Sequence, residues 1–195
     1  MSKGAATRQA MIEAAATAFE AQGYHGSGLN GLLDAAGAPR GSMYFHFPGG
    51  KEELAAAAVA AGAGVVDALI GELLASIEDP AEAVDHLVEV LSERLAESDF
   101  RKGCPVATVA LETAAVSDRL HDACSTAYRN WQATLEQRLI DNGVDADTAA
   151  DTAVTVLALI EGALLLSRAH RSTEPLDRVR RRIPALLRLP TPPGT

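Results

Sequence analysis

Residues 39–51, Pro-Arg-Gly-Ser-Met-Tyr-Phe-His-Phe-Pro-Gly-Gly-Lys, bring hydrogen-bonding side chains together at helical spacing. Met43 and Phe47 are four apart, which makes them inward anchors of a short helix, with Arg40, Ser42, Tyr44 and His46 free to face out. A helix of this kind fits the major groove of DNA, provided its outer face carries short or hydrogen-bonding residues. Arg40 can donate a bidentate pair to guanine, which discriminates by about 1–3 kcal/mol. Tyr44 and His46 carry donors suited to phosphate oxygens, which fix register without reading sequence. Gly41 removes bulk where backbones approach. Lys51 stands at a helix start, where free N–H groups and the positive dipole end favour an anionic oxygen.

Other residues could serve different chemistry. Asp118, His121 and Cys124 recur at steps of three and could share a helix face as metal ligands, although a Cys in an apolar stripe beside a solvated Asp is the simpler reading. Cys104 lies near a helix start, which lowers a thiol pKa, but no base is placed beside it. Glu112 and Glu161 are single carboxylates in apolar runs, so each faces solvent or meets a partner, pocket water or ligand. Two rival functions therefore stand beside DNA binding: a helical protein-binding adaptor, and a helical enzyme using Cys104 or His121.

The elements that must position these residues are helices throughout. Alanine accounts for 38 of 195 residues and aromatics for 4%, while strand-favouring residues are sparse. The first helix runs from about Thr7 to Gln22 and closes at Gly23. Ser27 can cap a second over Gly28 to Ala36. Pro39 sits at the first position of a third, which ends near His46. Two short helices joined through Ala-Gly-Ala-Pro read as helix-turn-helix. Lys51 begins a long helix to about Ile77. Asp79-Pro80 opens the next, Gly103-Cys104-Pro105 another to about Val116, Ser117 a further one to Asn142-Gly143, and Asp145 one to about His170. Glu174-Pro175 begins the last, with Leu176, Val179, Ile183, Leu186 and Leu187 inward, Arg178, Arg180, Arg181 and Arg182 solvated, and a kink at Pro184. The expectation is an all-α fold of about nine helices. Its domains are a helix-turn-helix head over 1–50, a helical body over 51–190 and a tail over 191–195.

The net charge of −9, with a pI near 5.0, argues against a protein coated in basic charge. By segment, residues 1–51 carry +1, residues 52–150 carry −13 and residues 151–195 carry +3. Two cysteines and no signal-like apolar stretch after Met1-Ser2-Lys3 leave a disulfide-built secreted module unexpected. The longest uncharged apolar run, Leu54 to Val66, falls short of the roughly 20 residues that span a bilayer. A soluble, cytoplasmic protein without membrane contact is expected.

The stretch from Phe19 to Leu54 resembles the DNA-binding domain of TetR-type transcriptional repressors. The resemblance rests on Phe19 to Tyr24 at the end of the opening helix and on Ala36, Gly37, Gly41, Tyr44, His46 and Phe47 in the turn and recognition helix. Lys51 to Leu54 complete it. Arg101 to Val106, followed by Leu111-Glu112, is similar to a subgroup typified by regulators of lincomycin-type efflux and flavonoid response. Asn30, Gly31 and Pro39 depart from the family pattern, and Gly28 and Gly31 each weaken the supporting helix by about 1 kcal/mol relative to Ala.

The resemblance implies a repressor, not an enzyme, with no cofactor or metal, that binds a palindromic double-stranded operator as a homodimer. The expected DNA contacts are Ser27, Arg40, Gly41, Ser42, Tyr44, His46 and Lys51. A small apolar or aromatic effector would enter the body, with Glu112, Tyr128, Trp131, Leu135 and Glu161 as candidate contacts. The last two helices would form the dimer, because the helix from Asp145 is apolar almost all round and needs cover on two sides.

Overall fold

The computed structural model describes residues 2–187, so the expected 191–195 tail and the end of the 51–190 domain lie outside the described residues. Helices dominate: α1 (Lys3–Gly26), α2 (Leu29–Ala35), α3 (Met43–His46, preceded by a 3-10 turn at Arg40–Ser42), α4 (Gly50–Ser76), α5 (Pro80–Glu97), α6 (Ala107–Thr113), α7 (Asp118–Asp141), α8 (Ala146–His170), α9 (Glu174–Arg180) and α10 (Ile183–Leu187). No strand occurs among the described residues. The all-α expectation holds, and the count of about nine follows when α9 and α10 are taken as one helix broken before Pro184.

Capping residues fix most boundaries. Ser2, Asp79 and Asp145 each accept a backbone N–H with the side chain, from Ala5, Ala81 and Thr148 at 3.3, 2.9 and 3.0 Å. Ser117 Oγ accepts from Leu120 N–H at 3.2 Å. Four expectations need correction. The helix expected from Gly103 to about Val116 covers only Ala107–Thr113. Pro39 is extended (φ −61°, ψ 138°) and precedes the 3-10 turn instead of occupying a first helical position. Ser27 does not cap α2, whose preceding extended residue is Gly28 with no side-chain cap; it ends α1 instead, as that helix's C-cap. Arg180 is only partly exposed and is paired: it donates to Asp85 at 2.6 and 2.7 Å and to Glu89 at 3.0 Å, pinning α9 to α5.

The chain forms two compact units, residues 2–65 with 104–127, and residues 66–103 with 128–187. In the first, Met11, Ile12, Ala15 and Phe19 of α1 pack with Leu32, Leu33, Met43, Phe47, Leu54, Ala58 and Val59 in the core. Here α6 packs on α1. In the second, α5, α8, α9 and α10 pack on one another, burying Val84, Val88, Leu95, Val156, Ile160, Leu176 and Ile183.

By length and composition, α4 and α8 are apolar enough to cross a membrane, which the run of uncharged residues did not reveal. Leu54, Ala55, Ala58, Val59, Val66, Ile70 and Leu74 on α4, and a stripe on α8, are buried, which places part of that apolarity, 39% of each segment, in protein core.

Candidate nucleic-acid interface

The recognition segment is held from below by two fully buried anchors. Met43 and Phe47 are both 0% exposed, and the Arg8 guanidinium sits 4.9 Å over the Phe47 ring. Gly37 takes φ +60° in the turn before the segment, and Gly50 takes φ +68° at the start of α4. L-residues with side chains rarely adopt either conformation. These constraints aim Arg40, Tyr44 and Phe45 outward, with Tyr44 65% and Phe45 80% exposed. Gly41 is exposed, and a Cβ there would meet nothing within 4 Å. His46 is half-buried, with its ring edge-on to Phe45 at 5.0 Å. Ser42 donates its hydroxyl to Pro39 C=O at 2.6 Å, which closes the 3-10 turn.

Ser27 and Lys51, two of the expected contacts, are engaged internally. Ser27 is buried and its Oγ donates to Gly23 C=O at 2.8 Å, so the hydroxyl joins α1 to the α2 approach. Lys51 Nζ donates to Tyr24 C=O at 2.6 Å and lies 4.2 Å above the Tyr24 ring. Burial lowers the Lys51 pKa, opposed by the Glu112 charge. Burial, seconded by the Glu52 charge, raises that of Tyr24.

Glu112 belongs to this same polar cluster. Its Oε2 accepts the His25 N–H at 2.7 Å, where Gly23 (φ 79°, ψ 175°) breaks the helical path of α1. Glu52 in turn accepts a short hydrogen bond from the Ser117 hydroxyl. The carboxylate placed by sequence among effector contacts thus ties α6 to the kink of α1, 87 residues away.

In the second unit, Trp131 and Leu135 come together with Ile70, Leu74, Leu87 and Ile160 around an apolar cavity of about 40 Å³. Tyr128 and Glu161 are not among its lining residues. Tyr128 meets Trp131 edge-on at 5.5 Å. The alternative chemistries gain nothing from the geometry. Cys124 is buried and its thiol is pushed up to about 11 by burial, whereas Asp118 and His121 are exposed. No group of three or more candidate metal ligands occurs among the described residues. Cys104 is buried, and its Sγ accepts the Val106 N–H at 3.4 Å.

Comparison with known proteins decides the family. Residues 11–58 match the N-terminal domain of bacterial regulatory proteins of the tetR family, and residues 80–182 match the C-terminal domain of LmrA/YxaF-like transcriptional regulators. The chain belongs to the TetR family. It is similar to the HTH-type transcriptional regulator LmrA of Bacillus subtilis strain 168, at 36% identity over 93% of this chain and 97% of that protein. The regulator YxaF of the same organism is 34% identical over 93% of this chain and 95% of its own length. A crystallised TetR regulator from Chloroflexus aurantiacus J-10-FL superposes with TM-score 0.80 at 26% identity, covering 95% of this chain and 96% of that one. The protein is therefore a TetR-type transcriptional regulator, and the segment anchored by Met43 and Phe47 lies inside its N-terminal family match.

Proposed function

We propose that this TetR-family regulator represses transcription by binding a palindromic operator as a homodimer in the cytoplasm, and that a small apolar or aromatic effector releases it. The observation that carries the reading is the outward face of the 39–46 segment, with exposed Arg40 and Tyr44 on a backbone locked by buried Met43 and Phe47. Residues 1–50 would touch DNA and residues 51–190 would sense and dimerise. Arg40 reads guanine, while Tyr44 and His46 hold phosphate. Lys51 joins them by exchanging the Tyr24 carbonyl for a phosphate oxygen. Gly41 and Ser42 give the close approach, and Ser27 acts through the backbone it ties down.

The effector would enter at the cavity bordered by Trp131 and Leu135, with Tyr128 behind Trp131. At about 40 Å³ the cavity is far below the roughly 300 Å³ of a small-molecule pocket, so entry must open the helices around it. This supports coupling: an effector that binds only an opened state shifts the population away from the closed one. Val154, Leu165 and Leu166 of α8 are exposed, and a second copy would cover them. The reading assigns no catalysis.

Selection of duplexes from a random pool by the purified full chain, followed by fluorescence anisotropy on the enriched sequence, tests the proposal. The expected result is an inverted repeat whose binding weakens as salt rises. On it, Tyr44→Ala and Lys51→Ala should each lose about tenfold, the equivalent of one hydrogen bond to a charged oxygen. Unselective binding, or unchanged affinity in both variants, overturns it.

A further inference from the structure

Phe45 is the feature of the head that core packing leaves unexplained. Phe19 and Phe47 are at most 1% exposed and Trp131 is 4% exposed, yet Phe45, two residues from each of the fully buried Met43 and Phe47, stands 80% in solvent. An apolar ring held in water gains by burial. The ring is also oriented: His46 meets it edge-on at 5.0 Å and 80°. One turn earlier, Gly41 offers no side chain to cover it, and a Cβ there would find nothing within 4 Å. The result is a single apolar face flanked by Tyr44, with Arg40 one turn before Tyr44. In the major groove the apolar feature that distinguishes base pairs is the thymine 5-methyl group.

We propose that Phe45 is a specificity-determining residue that reads a thymine 5-methyl group in each operator half-site. This rests on the reading of the 39–46 segment as the DNA-contacting face. Arg40 supplies the polar half of the code and Phe45 the apolar half. Removing the methyl while leaving every hydrogen-bonding group in place costs only the apolar contact.

The test takes the enriched duplex and replaces each thymine in turn by deoxyuridine, which lacks the 5-methyl. Binding by the full-length wild type and by Phe45→Ala is then compared at fixed salt. The wild type should lose about fourfold per half-site at one symmetric thymine position, the value of one buried methyl. Phe45→Ala should bind the thymine and uracil duplexes equally, and Phe45→Leu should keep part of the difference. Since Phe45 is 80% exposed, its truncation should leave thermal unfolding unchanged, which confirms that the head remains folded. A wild type indifferent to uracil at every position, or a Phe45→Ala variant as methyl-sensitive as the wild type, overturns the inference while leaving DNA binding intact. Failure to enrich or bind any duplex overturns the DNA reading itself, and this inference with it.

Discussion

At Gly23 the backbone takes φ 79° and ψ 175°, a region that residues with a side chain avoid at a cost of about 1–3 kcal/mol. A Cβ there would also come within 2.8 Å of Glu112 Cδ. Gly23→Ala should therefore cost about 2–3 kcal/mol and lower Tm by roughly 5–10 °C. Gly28→Ala, where a Cβ meets nothing within 4 Å, should leave Tm within a degree or two. Equal melting of the two variants in a calorimetric scan would refute the account of this kink. The glycine was legible in the sequence as the end of a helical pattern. Its partner was not: Glu112 lies 87 residues from His25, and no local rule links them. The same holds for Lys51, whose position marked it as a helix-start cation but whose tie to the Tyr24 carbonyl needs the folded head. Phe45 is not marked out by the sequence, because an alternating pattern of anchors and polar residues gives no reason to expect an exposed ring.

Among elements, helices opened by Asp79 and Asp145 were legible to within a residue, because an N-cap signal is local. The element from Gly103 to Val116 was not. It shortens to Ala107–Thr113, with Cys104 and Val106 buried before the first turn, which apolar periodicity does not distinguish from helix. The arginines of residues 178–182 show the same limit: all four read as solvent-facing, and only the fold brings Asp85 and Glu89 to Arg180. That contact has a pH signature. The Arg180 hydrogen bond, opposed by burial, holds the Asp85 pKa below its ordinary 3.8. The stabilisation is thus complete above 3.8 and is lost as pH falls through the lowered folded value. Both side chains are 31% exposed, so screening limits the pair to about 0.5–1 kcal/mol. In urea titrations Asp85→Asn should lose that amount at pH 7, and the difference from wild type should close as pH drops below 3.8. A gap that stays constant across this range would show that the contact contributes no charge.

At the scale of the whole molecule, the acidic balance argued against a nucleic-acid coat, and the segment split located where DNA contact remains feasible. The 52–150 stretch carries −13, which a segment that need not touch phosphate can carry, while residues 1–51 carry +1. With so little positive charge there, the proposed operator binding would draw on two copies acting together. Leu165 and Leu166 are 61% and 50% exposed on a helix already buried along its other face, which makes them the proposed dimer contact. Leu165→Glu combined with Leu166→Glu should convert a dimer to a monomer in sedimentation velocity. A wild-type monomer, or a variant that still sediments as a dimer, would contradict that assignment.

The head's reading of sequence is the central claim, and Arg40 is its sharpest probe. Anisotropy titrations of wild type and Arg40→Ala, on the enriched duplex and on a scrambled duplex of equal length, give a specificity ratio for each protein. Losing a bidentate guanine contact worth about 1–3 kcal/mol predicts that Arg40→Ala weakens the enriched duplex about 5-fold to 150-fold, with little change on the scrambled one. Equal weakening on both duplexes would mean that Arg40 supplies charge alone, and no weakening on either would contradict the account.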